Sequence, residues 1–504
     1  MCAVPARFEP AVPLNWSAST DLIINATEYG PVCWQPSPPY FGAPQMDEQC
    51  LYLNIFRPVS HTPEEGGANA TLLPIMVWVH GGSFVNGAGS DPSFDGAELA
   101  VTQGVLVVSI NYRLGPLGFM AMDAAGTRGM NGLLDQVLAL RWVRQHAMAF
   151  GGDPDRVTVF GESAGSLSTC ILAVSPAAKG YMNRAILESG ACTGAVWSPK
   201  NASVGFTWSQ WFVKEQLHCD EWADLRNASL YPPAKFAWPS VLDGDAPVEG
   251  QPPSANYCVD PAVLPAAPQA RYQDASSLNV EAMILGANSF DGLGPWARAK
   301  APSLFPTNAT AYAGALQMRF GPRASAVANA YPASAYNGSV PAAFVQMDGD
   351  DSVLCPTKAL GAVVASHLPN RTFLYVYAHL YGADVSAQSG LARVGVNTST
   401  WASHASEIPF VFGTQTFISF PNRSKSLVAV PFTAAERNLS QAISSYWGAF
   451  ARGTSMQLVA SGQRAWPAVS SAPSEPQLSL KLATPAATLL QDYHAAHCAS
   501  FGEA

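Results

Sequence analysis

The feature that most constrains this chain is a five-residue turn, Gly161-Glu162-Ser163-Ala164-Gly165, set between two different periodicities. Before it stands Val157-Thr158-Val159-Phe160, a β-branched run of strand length. After it, residues 164–174 follow a helical pattern. A serine on so sharp a strand-to-helix turn presents its hydroxyl at the edge of a sheet. The flanking glycines are needed because side chains there would collide with the neighbouring strand and helix.

The rest of the chain supplies the sheet that such a turn requires. Residues 51–56, 75–79, 105–110, 185–187, 282–285 and 373–377 read as strands, and residues 133–149 and 434–452 as helices. The continuous apolar run at 105–110 is the pattern of a strand buried on both faces. Alternating β and α units predict an α/β fold with a central, mostly parallel sheet flanked by helices. At 48% apolar and 12% charged residues, 504 residues can bury a large core. Residues 199–280, rich in Pro, Trp and Ala, read as a cap-like insertion of helices and loops over the sheet's carboxyl edge, and 383–402 as a long loop. Repeats and low-complexity linkers are absent, so residues 1–504 read as one domain.

Acyl transfer builds negative charge on a carbonyl oxygen, and backbone N–H groups that stabilise it must approach closely. His80-Gly81-Gly82-Ser83-Phe84 follows the strand at 75–79 and offers such small residues. Gly82, Ser83 and Ala164 are the expected donors, with Ser163 as nucleophile. A serine nucleophile needs a general base and a carboxylate to hold it. On this fold they follow the serine in the order acid, then histidine. His61, His80 and His146 precede it and are excluded from that role.

Other chemistries lack support. Net charge is −9 with no long basic run, which argues against a nucleic-acid partner. A stretch of about 20 apolar residues is absent, so no transmembrane helix is expected. The nine cysteines form neither CxxC pairs nor a Cys/His cluster of zinc spacing, and neither metal nor cofactor is implied. Asn15, Asn25, Asn69, Asn201, Asn227, Asn308, Asn337, Asn370, Asn397, Asn422 and Asn438 each begin an Asn-x-Ser/Thr sequon. These eleven among 20 asparagines exceed the roughly three that composition would give. Sequons and cysteines together predict a secreted, N-glycosylated, disulfide-bonded protein. Residues 1–5 lack the features of a secretory signal, so the N-terminus is expected to be processed or missing.

With the two motifs placed, the chain resembles the type-B carboxylesterases, the family that also holds cholinesterases and bile-salt-activated lipase. Ordered matches run from Arg7-Phe8 through Asn111-Tyr112-Arg113-Leu114-Gly115, Asn131-Gly132-Leu133-Leu134-Asp135-Gln136 and Glu188-Ser189-Gly190 to Glu407-Ile408-Pro409-Phe410. The resemblance implies an α/β-hydrolase fold and a serine carboxylic ester hydrolase acting on small-molecule or lipid esters. It places the base at His404, directly before Glu407-Ile408-Pro409-Phe410, with His379 as runner-up. It places the acid at Asp291, before Gly292, where many members carry Glu. Glu162 would give electrostatic support, and Phe84 and Trp197 would wall the acyl site. Cys33–Cys50 and Cys355–Cys498 match family disulfides, and Arg7 and Glu48 a family ion pair. Cys219 matches half of a third bridge, with Cys258 as the one plausible partner. Cys170 and Cys192 read as buried free thiols. The loop from Cys33 to Cys50 lacks the family's choline-binding tryptophan, which favours neutral esters. A non-catalytic adhesion or binding domain on the same fold is the alternative. Acyl and alcohol preference and oligomeric state are not legible.

Overall fold

The computed structural model describes the chain except residues 1, 4–6, 14–25, 37–41, 60–70, 123–126, 195–201, 221, 237–259, 261, 293–304, 382–401, 420–425, 454–462, 473–474 and 503–504. The chain falls into two compact units. The first holds Met1–Ala185, Pro199–Pro239 and Pro247–Val280, and the second Ile186–Ser198, Ser240–Ala246 and Glu281–Ala504.

In the first unit, strands β1 (Leu53–Phe56), β2 (Leu73–Val79), β3 (Leu106–Ile110) and β4 (Gly152–Glu162) lie in the order β4-β2-β3-β1. β2 is parallel to both neighbours, with Val79 opposite Gly161 on one side and Ile110 on the other. β1 closes the edge antiparallel to β3. All seven residues of β2 and all five of β3 are buried, which is why these strands read as continuous apolar runs. Helices α1 (Asn131–His146) and α2 (Ala164–Leu172) belong to the same unit. The described part of the 199–280 insertion belongs to the same unit. It packs Trp208, Phe212, Val213 and Leu225 with Phe8, Leu117 and Met120 in one apolar cluster.

The chain enters the second unit along β5 (Arg184–Glu188). There β6 (Ala282–Asn288), β7 (Thr372–Tyr377), β8 (Leu478–Leu482) and β9 (Thr488–Gln491) run in the order β9-β8-β7-β6. All pairs are parallel except β8–β9. Helices α3 (Ala309–Phe320), α4 (Val340–Gly349), α5 (Cys355–His367) and α6 (Ala434–Arg452) pack within it. α6 starts in a capping box, Thr433 Oγ1 accepting from the Glu436 amide and Glu436 accepting from the Thr433 amide, and stops at left-handed Gly453. Its Tyr446 and Trp447 meet Trp466 and Tyr375 at ring distances of 5.4 and 5.3 Å.

Cys33–Cys50 and Cys355–Cys498 are bridged, with Cα separations of 4.9 and 5.4 Å. Cys170 and Cys192 are both disulfide-bonded, which corrects the free-thiol reading. Both are completely buried, and burial is equally compatible with a thiol and with a half-cystine. Cys219 is a buried thiol hydrogen-bonded to Tyr231, and Cys258 lies outside the described residues. Among the described residues no helix is long and apolar enough to cross a membrane.

Candidate active site

Ser163 stands between β4 and α2 with φ 55° and ψ −120°, a conformation that non-glycine residues rarely adopt. The crowding that forces it is visible at the glycines. A Cβ on Gly165 would lie 1.9 Å from the Val79 carbonyl oxygen, and one on Gly161 2.5 Å from the same atom. The end of β2 is thus pressed against the turn, and neither glycine admits a side chain.

The chain leaving β2 then crosses directly over the serine. A Cβ on Gly81 would meet the Glu162 carboxylate at 2.7 Å and the Ser163 Cβ at 3.2 Å. Gly82, Ser83 and Phe84 follow with φ of 109°, 57° and 61°. This left-handed run makes a turn in which the Val85 and Asn86 amides both donate to the Gly82 carbonyl, each at 3.1 Å. Two neighbours hold the loop. The buried Gln35 side chain donates to the Gly87 carbonyl and accepts from its amide, both at 3.0 Å. The Tyr112 hydroxyl donates to the His80 carbonyl at 2.9 Å, and its ring stacks on the His80 imidazole at 4.4 Å. Burial, with the nearby Glu162 charge second, pushes the Tyr112 hydroxyl well above its ordinary pKa, so it remains a donor. Phe84 is buried against Phe119 at 5.0 Å. Ala164 is the first residue of α2, where helix amides lack intrahelical acceptors.

In the second unit, His404 Nδ1 lies 2.6 Å from Asp291 Oδ1. Asp291 is 1% exposed, and its other oxygen accepts from the Asn288 amide at 2.7 Å. Both carboxylate oxygens are therefore engaged, one by the imidazole and the other by a backbone amide. Phe290 N–H donates to the Ala402 carbonyl at 3.1 Å, joining the segment of the acid to that of the histidine. His379 is elsewhere in this unit, buried between Glu436 at 3.1 Å and Thr484 at 3.2 Å.

A sequence model described as the carboxylesterase family matches residues 3–501. The chain belongs to this family. Among its relatives is a para-nitrobenzyl esterase of Bacillus subtilis (strain 168), 48% identical over 192 residues, 37% of either chain. An acetylcholinesterase 4 of Caenorhabditis briggsae is 42% identical over 39% of this chain and 30% of its own. A human cocaine esterase is 44% identical over 37% of this chain and 33% of its own. The matched stretches thus span about a third of the length of these curated relatives. The solved structure of a PNB esterase superimposes with a TM-score of 0.72 at 28% identity, over 99% of this chain and 94% of that one. The α/β-hydrolase fold expected from the sequence is therefore shown.

For this carboxylesterase-family chain, the structure gathers Gly81, Gly82, Glu162, Ser163 and Ala164 at one turn, and Asp291 and His404 at another place. Trp197 lies outside the described residues. Asn288 and Gly349 are both in contact with Asp291 or its neighbours; Asn288 was marked only by opening the segment that carries the acid, and Gly349 by nothing.

Proposed function

We propose that this protein is a secreted serine carboxylic ester hydrolase that acts on neutral esters through an acyl-enzyme on Ser163. The observation that carries the reading is the 2.6 Å His404–Asp291 pair, a base already held by a buried carboxylate. In this reading His404 Nε2 takes the Ser163 proton as Oγ attacks the ester carbonyl. The oxyanion is held by the amides of Gly82, Ser83 and Ala164. Collapse expels the alcohol, which receives the proton from His404. Water, deprotonated by the same imidazole, then releases the acid and restores the serine. Asp291 fixes the tautomer with Nδ1–H toward itself and stabilises the imidazolium. Glu162 lends negative charge beside Gly81, and Phe84 and Trp197 wall the acyl group.

Secretion and glycosylation are supported by exposure. Asn227, Asn308, Asn337, Asn370 and Asn438, the sequon asparagines among the described residues, are all exposed. No observation favours the adhesion-domain alternative.

The test is Ser163→Ala with p-nitrophenyl butyrate as substrate. Activity should fall by about 10⁶-fold with the melting temperature held, and a fluorophosphonate should label Ser163 in the parent chain. Labelling of another residue, or activity surviving in the variant, overturns the assignment.

A further inference from the structure

We propose that Asn288 is a positioning residue that locks the segment carrying Asp291 to the segment carrying His404. The proposal rests on the reading of these two as acid and base. Asn288 ends β6 and is 1% exposed. Its backbone N–H donates to Asp291 Oδ2 at 2.7 Å. Its side-chain NH₂ donates twice, to the Ser403 carbonyl at 2.7 Å and to Glu407 Oε2 at 2.6 Å. One residue therefore grips the acid directly and the peptide group just before the base.

The chemistry admits few substitutes. The bond to Glu407 is charge-assisted and short. Glu407 is itself 1% exposed, and its other oxygen accepts from Ser189 Oγ at 3.3 Å. A buried carboxylate needs such donors. An aspartate at 288 would have none to offer and would set a second negative charge against Glu407. A leucine or alanine would leave both the Ser403 carbonyl and Glu407 short of a partner. Because the fixed points are a carboxylate oxygen and the peptide next to His404, movement of Asn288 changes the Oδ1–Nδ1 distance itself. Its role differs in this from that of an ordinary core amide.

The test uses the full glycosylated chain with two variants and two readouts. The first readout is the downfield His404 Nδ1–H proton resonance, assigned by its loss in His404→Ala and independent of turnover. The second is the split between kcat and KM on p-nitrophenyl butyrate. In Asn288→Ala the resonance should move upfield or broaden, and kcat should fall by about 10- to 100-fold with KM within about twofold. Asn288→Ala combined with Glu407→Gln removes the buried charge, so it keeps the variant folded while the link to Ser403 stays broken. It should recover melting temperature but neither kcat nor the resonance. A folded Asn288→Ala chain with parental resonance and kcat overturns the proposal, as does a double variant that regains both. A parent chain that shows the resonance but hydrolyses no ester would refute the esterase reading, and the shift in Asn288→Ala would still decide the positioning role.

Discussion

Gly349 backs directly onto Asp291. A Cβ at this last residue of α4 would stand 2.8 Å from the Asp291 carbonyl carbon and 2.6 Å from the Gly292 amide nitrogen. The packing is reciprocal, since a Cβ on Gly292 would meet the Val345 carbonyl oxygen at 2.3 Å. A helix and the turn of the acid approach here more closely than any side chain allows. Gly349→Ala gains up to about 1 kcal/mol in helix propensity. Overpacking against backbone costs about 1–3 kcal/mol, because backbone cannot rotate away. The variant should therefore melt lower than the parent and lose kcat more than KM. A melting temperature equal to or above the parent's would show that the contact is looser than described.

Asp291→Asn keeps the size of the acid and removes its charge. The amide can then offer N–H to His404 Nδ1 and select the wrong tautomer. By the logic of serine triads, kcat should fall by about 10⁴-fold with little change in fold stability. Steady-state kinetics against the parent checks this, and a fall of less than tenfold would point to another carboxylate as the orienting group.

Much of this was legible because certain local demands leave few solutions. The turn around Ser163 needs small residues at 161 and 165, so the motif announced the packing that the Val79 carbonyl imposes. Helix α6 coincides with the expected 434–452, and its capping box and Gly453 account for both ends. Helix α4 escaped notice for the opposite reason. Nearly every residue in it is buried, so it shows no polar face and no helical period. α3 does carry a stripe, Tyr312, Leu316 and Phe320, but its alanines blur it. Strands β8 and β9 are short and follow a proline-rich stretch, so no strand pattern stood out there. Asn288 was visible only as one polar residue in a matched segment. Its partners, Ser403 and Glu407, lie more than a hundred residues away.

The first unit depends on a buried ion pair that sequence resemblance only hinted at. Arg113 donates to Asp135 through Nε at 2.7 Å and Nη2 at 2.6 Å, and through Nη1 to the Glu9 carbonyl at 2.7 Å. The side chains are 5% and 0% exposed. Arg113→Met should cost about 3–5 kcal/mol, because it strands the Asp135 charge in the interior. Adding Asp135→Leu should recover a large part of that loss. Denaturant melts of the three chains check the pair; additive effects would mean that the charges do not depend on one another.

Neutral esters should outcompete choline esters. A quaternary ammonium needs an aromatic face at close range. Trp34, just after Cys33, is half-buried and packs against the cluster that holds Phe8, Leu117 and Trp208. Tyr40 and Phe41, the remaining aromatic residues of this loop, lie outside the described residues, as do 382–401. The specificity constant for p-nitrophenyl butyrate should exceed that for butyrylthiocholine. Equality or reversal would mean that another ring supplies the cation site.

The last expectation concerns acid stability. His379 is buried, and burial holds its imidazole below the ordinary value, against the opposing hydrogen bond and charge of Glu436. The groups that face it are Glu436 and Thr484, with the rings of Tyr377, Tyr381 and Phe410 around them. The unfolded chain binds a proton here near pH 6.5, while the folded chain resists until a lower pH. Between those two values the unfolded state holds more protons, so stability falls as pH falls. Above about 6.5 both states are neutral, and the group contributes no pH dependence. His379→Gln can keep a donor toward Glu436 and does not titrate. Its melting temperature should therefore change less than the parent's between pH 7 and pH 5. A parental slope in that window would mean that His379 takes up its proton at the same pH in the folded and unfolded chains, so that Glu436 offsets the effect of burial.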